Sequence, residues 1–144
     1  MILVDANVLL YAYHPGDQRH EAARTWLESA LSASEPVRFA WLTLWAFLRI
    51  STNPRVYEHP LLPGEAKAAI SSWLERSVAG ILEPGERHWT ILGDLLAGDQ
   101  VRGPLIMDAV VAALAIEHGA VLQTTDGDFA RFPDLKWRNP LRVG

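Results

Sequence analysis

Residues 104–129 read PLIMDAVVAALAIEHGAVLQTTDGDF. Pro104 suits the first turn of a helix, where its missing N–H costs nothing. Ala109, Ala112, Ala113 and Ile116 recur at helical spacing, and small residues there permit close packing. Gly119 is a good stop just past the helix end. Val121 and Leu122, with Thr124 and Thr125, then read as a short strand. Acids stand at both ends of this helix–strand unit. Asp108 falls in the first or second turn, where the helix dipole favours a carboxylate. Asp126 comes where the strand stops, and Asp128 follows it.

The chain opens with the same arrangement. In MILVDANVLLYA, Ile2 to Val4 form a buried strand, and Asp5 leaves its carboxyl end. Asn7 is the natural N-cap of a helix carrying Val8, Leu9, Leu10 and Tyr11. Parallel α/β sheets bind ligands outside the carboxyl ends of their strands. If these two strands are neighbours, Asp5 and Asp126 meet at that edge, and the helix entering the second strand delivers Asp108 there. Converging carboxylates repel one another unless a cation or protons intervene. A hard dication with oxygen ligands, Mg²⁺ or Mn²⁺, is the simplest occupant.

Between these blocks, helices are expected from Asp17 through HEAARTWLESAL, over Leu42–Ile50, over Gly64–Ser77 and over Glu86–Ala97. Val37–Ala40 and Gly80–Glu83 read as strands, and LKWRNPLRV near the end as an edge strand. The 42–50 helix is apolar nearly all round, with Arg49 its charged exception, so it belongs in the interior or at an interface. Trp26, Trp73 and Trp89 lie at core spacing. Trp41 and Trp45 are candidates for a dimer or partner groove. The alternation of short strands and helices points to an α/β fold, one domain over 1–144, with a central, mostly parallel sheet.

Bulk properties agree. A chain of 144 residues with 49% apolar content has room for one real core. It has no cysteine, which excludes disulfides and thiolate metal sites. No apolar run approaches a membrane span, and Asp5 comes too early for a signal peptide, so a cytoplasmic protein away from membranes is expected. A net charge of −4 argues against a nucleic-acid coat but suits a nuclease that concentrates its acids in the site. No histidine pairs with an acid at metal-ligand spacing. His118, near a helix end, is favoured there when protonated.

Taken together, MILVDANVLLYA at the start and MDAVVAALAIEHGAVLQTTDGDFARF near the end resemble a PIN domain, specifically the VapC toxins of VapBC toxin–antitoxin systems. The resemblance spans nearly the whole chain. It implies a Mg²⁺- or Mn²⁺-dependent endoribonuclease that cleaves tRNA or ribosomal RNA and so inhibits translation. It also implies a VapB-type antitoxin partner and a homodimer. Asp5 and Asp108 match the family's principal metal-binding acids, Asp126 the acid after the last main strand, and Asp128 a less regular member. Asn7 or Thr125 would hydrogen-bond a carboxylate and fix its rotamer. Arg49, Arg55, Arg131, Lys136, Arg138 and Arg142 are the candidate phosphate contacts.

The chain departs from the pattern at Ala46, where many members carry a Glu just before a Phe-Leu-Arg-like run. No acid occurs between Glu35 and Glu58. Either fewer acids suffice, or Asp128 or Asp99 substitutes, or catalysis is weak. Two rival readings remain. One is a PIN-like binding module that lost activity with that acid. The other is a Mg²⁺-dependent aspartyl-phosphate protein, for which Asp5-Ala-Asn7 lacks a second Asp and no suitable late lysine follows.

Overall fold

Short apolar runs build the sheet. Strands β1 (Ile2–Val4), β2 (Val37–Phe39), β3 (Ala79–Ile81), β4 (Val121–Gln123) and β5 (Trp137–Arg138) lie in the order β3-β2-β1-β4-β5. Every pairing is parallel. The computed structural model describes residues 1–142, so the end of the expected last strand, at Val143, lies outside the described residues.

Alternation along each strand sends side chains to two cores. Ile2, Val4, Val37 and Phe39 face one side, covered by α1 (Ala6–Ala12), α2 (His20–Ser32), α3 (Trp41–Ser51) and α4 (Pro63–Leu74). Tyr13, Phe47 and Trp73 fill its middle edge to face, and the Trp73 indole N–H donates to the Tyr13 hydroxyl at 3.1 Å. Leu3 and Leu122 face the other side, covered by α5 (His88–Leu95), α6 (Leu105–His118) and a 3₁₀ turn over Gly127–Arg131. Ala109, Ala112, Ala113 and Ala115 are fully buried on α6, so the predicted close packing is what lets this helix lie on the sheet. Gly119 ends α6 at φ 68°, a left-handed conformation suited to glycine.

The register positions the functional edge. Val4 pairs with Gln123, and the Asp5 N–H donates to the Gln123 carbonyl at 3.0 Å. The chains leaving β1 and β4 therefore emerge side by side.

Several local expectations are corrected. Asp5, not Asn7, is the N-cap of α1; its carboxylate accepts from Ala6 N–H at 2.8 Å. Asp17 does not cap α2 directly. It folds back onto the Arg19 backbone and guanidinium, and the helix starts at His20. Trp89 is 78% exposed rather than in the core, because α5 buries only Leu92 against its neighbours. Trp73 is buried and Trp26 half-buried, as their spacing indicated. On α3, Thr43, Leu44, Phe47 and Ser51 turn inward, while Trp41, Trp45 and Arg49 remain exposed. The expected interior position is thus corrected: one face of α3 enters the core and the other is exposed.

Candidate active site

Asp5, Asp108, Asp126 and Asp128 come from separate turns of chain to the carboxyl edge of β1 and β4. Asp5 is delivered by the end of β1 and Asp126 by the loop after β4. Asp108 sits in the first turn of α6 and Asp128 in the 3₁₀ turn. Their proximity is read in their electrostatics. Burial pushes the Asp108 carboxyl up to about 6, reinforced by the charges of Asp126, Asp5 and Asp128. Burial is also the main cause raising Asp5, against hydrogen bonds from Thr124 and Ala6 that favour its ionised form.

A small polar network fixes Asp5. The Thr124 hydroxyl donates to Asp5 Oδ2 at 2.8 Å, and the Asn7 amide donates to the same oxygen at 3.3 Å and to Thr124 Oγ1 at 3.1 Å. Thr124 Oγ1 also accepts from the Asp126 N–H at 3.1 Å, so one buried hydroxyl ties both acid-bearing turns together. Asn7 thus does what the sequence indicated. Thr125 offers only its backbone N–H, to Asn7 Oδ1 at 3.3 Å, and the hydroxyl role belongs to its neighbour. Two consecutive threonines left that choice open, since alternation sends only one of them toward Asp5. Asp126 caps the turn that follows by accepting from Asp128 N–H at 2.9 Å.

Among the described residues, no three His, Asp or Glu side chains are arranged to hold one ion. Asp5 and Asp126 spend oxygens on the turns they cap, and like charges spread apart. The donor set nonetheless fits a hard dication. It is all carboxylate oxygen, without sulfur or imidazole, and it carries mutual repulsion that a cation relieves. Asp99 is exposed and has no part in the cluster; its carbonyl accepts from Arg102. Ala46 is half-buried on α3, which supplies no acid. Arg49, Arg55, Arg131, Lys136, Arg138 and Arg142 are all exposed.

Asp5, Asp108 and Asp126 are half-buried at this edge and Asp128 is exposed. A cleft of about 290 Å³ lies elsewhere, between α1, α2 and α4, and none of these aspartates lines it.

The PIN domain family model matches residues 2–135. Ribonuclease VapC37 of Mycobacterium tuberculosis is 39% identical over 140 residues, 97% of each chain. The fold resembles VapBC2 from Rickettsia felis, solved bound to a promoter DNA fragment, with TM-score 0.69 and 19% identity over 96% of this chain and 98% of that one. It also resembles M. tuberculosis VapC20, described as a sarcin–ricin loop cleaving toxin, with TM-score 0.66 and 21% identity over 90% and 93%. Acids set on neighbouring parallel strands, a family match over nearly all the described chain and a curated relative of equal length agree: this chain belongs to the PIN-domain family, among its VapC ribonucleases.

Proposed function

We propose that the protein is the toxin of a type II toxin–antitoxin pair, a divalent-metal-dependent endoribonuclease. The observation that carries the reading is the meeting of Asp5, Asp108, Asp126 and Asp128 at one sheet edge, with the Asp108 carboxyl raised to about 6 by burial and by the other acids. Asp5, Asp108 and Asp126 would hold Mg²⁺ or Mn²⁺, with Asp128 beside them. A bound dication supplies neutralising charge at a phosphate and a lowered pKa for a water it carries.

The chain's own residues do the rest. Thr124 and Asn7 lock the Asp5 rotamer, so one ligand is held before any cation arrives. Asp126 is anchored through its backbone to the same hydroxyl. Asp108 keeps its proton to about pH 6 and must release it to serve as an ionised ligand, so cation affinity rises with pH through that range.

The VapBC likeness supports a VapB-type antitoxin as partner. The description of VapC20 as cleaving the sarcin–ricin loop supports a structured ribosomal RNA as substrate class. We assign the homodimer face to α3, where Trp41 and Trp45 are 42% and 62% exposed and stack on each other with ring centroids 6.5 Å apart. No helix of the described residues is long and apolar enough to cross a membrane. The likeness to VapC ribonucleases supports action in the cytoplasm.

The test is RNA cleavage by purified protein with Mg²⁺, Mn²⁺ or EDTA. Metal-dependent cleavage that is lost in folded Asp5→Ala supports the reading. Cleavage persisting in EDTA contradicts it.

A further inference from the structure

The exposed cations proposed to meet RNA are not equivalent. Arg49 lies on α3, one turn beyond Trp45, and Arg55 follows in the next loop. Lys136, Arg138 and Arg142 lie along β5 and the segment around it. Of the six, Arg131 alone lies in the same turn as acids of the site. It closes the 3₁₀ turn that begins next to Asp126 and contains Asp128.

Its guanidinium is held in a particular way. The Nε–H donates to the Asp128 backbone carbonyl at 3.1 Å. Among the described residues, the ion pairs are the N-terminus with Glu35, Arg19 with Asp17, and His118 with Glu117. Arg131 is in none of them, although its turn contains Asp128 and begins next to Asp126. A mobile arginine beside carboxylates would close a salt bridge. This one is tethered through Nε to a carbonyl, and the two terminal nitrogens of its exposed guanidinium fork make no ion pair among the described residues. That fork matches a pair of phosphate oxygens and is pre-organised for them. An arginine also stays charged at every working pH.

Resting on the ribonuclease reading above, we propose that Arg131 is the cation that grips an RNA phosphate at the acidic edge, binding it bidentately and offsetting the repulsion between the backbone and the aspartates. Its carbonyl tether makes Asp128 a positioning residue through its main chain, whatever its carboxylate does.

The experiment compares wild type, Arg131→Ala and Arg131→Lys on a short labelled single-stranded RNA. Cleavage is followed with Mn²⁺, and binding is followed in EDTA over a salt series. Arg131→Ala is expected to raise KM and the metal-free Kd about tenfold, with kcat changed much less. It also lowers the slope of log affinity against log salt by roughly 0.7, the loss of one phosphate contact. Arg131→Lys keeps that slope but binds with intermediate affinity, because it lacks the fork. An unchanged Kd and slope in folded Arg131→Ala overturns the proposal, even if kcat falls, since Arg131 would then act only on the carboxylates. Wild-type protein that neither cleaves nor binds RNA overturns the ribonuclease reading and this proposal with it. Wild-type cleavage unaffected by Arg131→Ala overturns the proposal alone.

Discussion

At the scale of single residues, the acid cluster is a place where the fold works against itself. An acid whose pKa is raised in the folded state binds a proton that the unfolded chain has released. Stability of the metal-free protein therefore falls as pH rises from the ordinary Asp value of 3.8 to about 6, and stays lower above that. Asp108→Asn removes the charge at nearly constant shape. The substitution is expected to stabilise the metal-free protein at pH 7.5 by about 1 kcal/mol, after discounting for solvent screening, or roughly 3 °C in Tm. At pH 4 the gain should vanish. Thermal melts at the two pH values, in EDTA, check both signs. A gain of equal size at pH 4 would show that the relief is not one of charge.

Thr124 carries the opposite load. It is fully buried, and its hydroxyl serves Asp5, Asn7 and the Asp126 N–H. Thr124→Val keeps the volume but leaves Asp5 and Asp126 each short of a partner. A loss of about 1–3 kcal/mol in stability is expected, with weaker Mn²⁺ binding, measured by denaturant unfolding and by calorimetric titration. Thr125→Val, whose hydroxyl the network does not use, should change neither.

At the scale of elements, what was legible followed from punctuation and register. Pro104 and Gly119 bracket α6 as expected, and Asp5 and Asp126 meet because β1 and β4 are parallel neighbours. A glycine at φ 68° is there for its backbone, so Gly119→Ala should cost about 1 kcal/mol in a melt without altering cleavage. The misreadings have physical causes. Strands as short as β1 and β4 carry too few residues for alternation to say which of Thr124 and Thr125 points to Asp5. Asn7 has the chemistry of a cap, yet the chain turns earlier and Asp5 supplies the bond itself. Trp89 has core spacing, but spacing does not reveal whether a neighbouring element exists to cover it. Nothing in a linear pattern of charges singles out Arg131 either; only the 3₁₀ turn brings it to Asp108.

At the scale of the whole molecule, the sheet order sets helices α1 to α4 on one face and α5 and α6 on the other, and puts the acids at the carboxyl edge of its central strands. The same arrangement leaves the α3 tryptophans uncovered. Trp45→Glu places a charge in the proposed dimer face while sparing the core, since Trp45 is 62% exposed. Light scattering should then report a monomer where the wild type is a dimer. A dimeric variant would move the interface elsewhere, and a monomeric wild type would contradict the dimer itself.

The central claim is that four aspartates, Asp5, Asp108, Asp126 and Asp128, make a working metal-dependent nuclease although α3 carries alanine at position 46. The most direct measurement is cleavage of total cellular RNA by antitoxin-free protein with Mn²⁺ or EDTA, run beside folded Asp108→Ala. The account predicts discrete fragments with Mn²⁺, none in EDTA, and a loss of at least about a hundredfold in the variant. Wild-type protein that binds Mn²⁺ but leaves every RNA intact, or Asp108→Ala that cleaves as well as wild type, would contradict it.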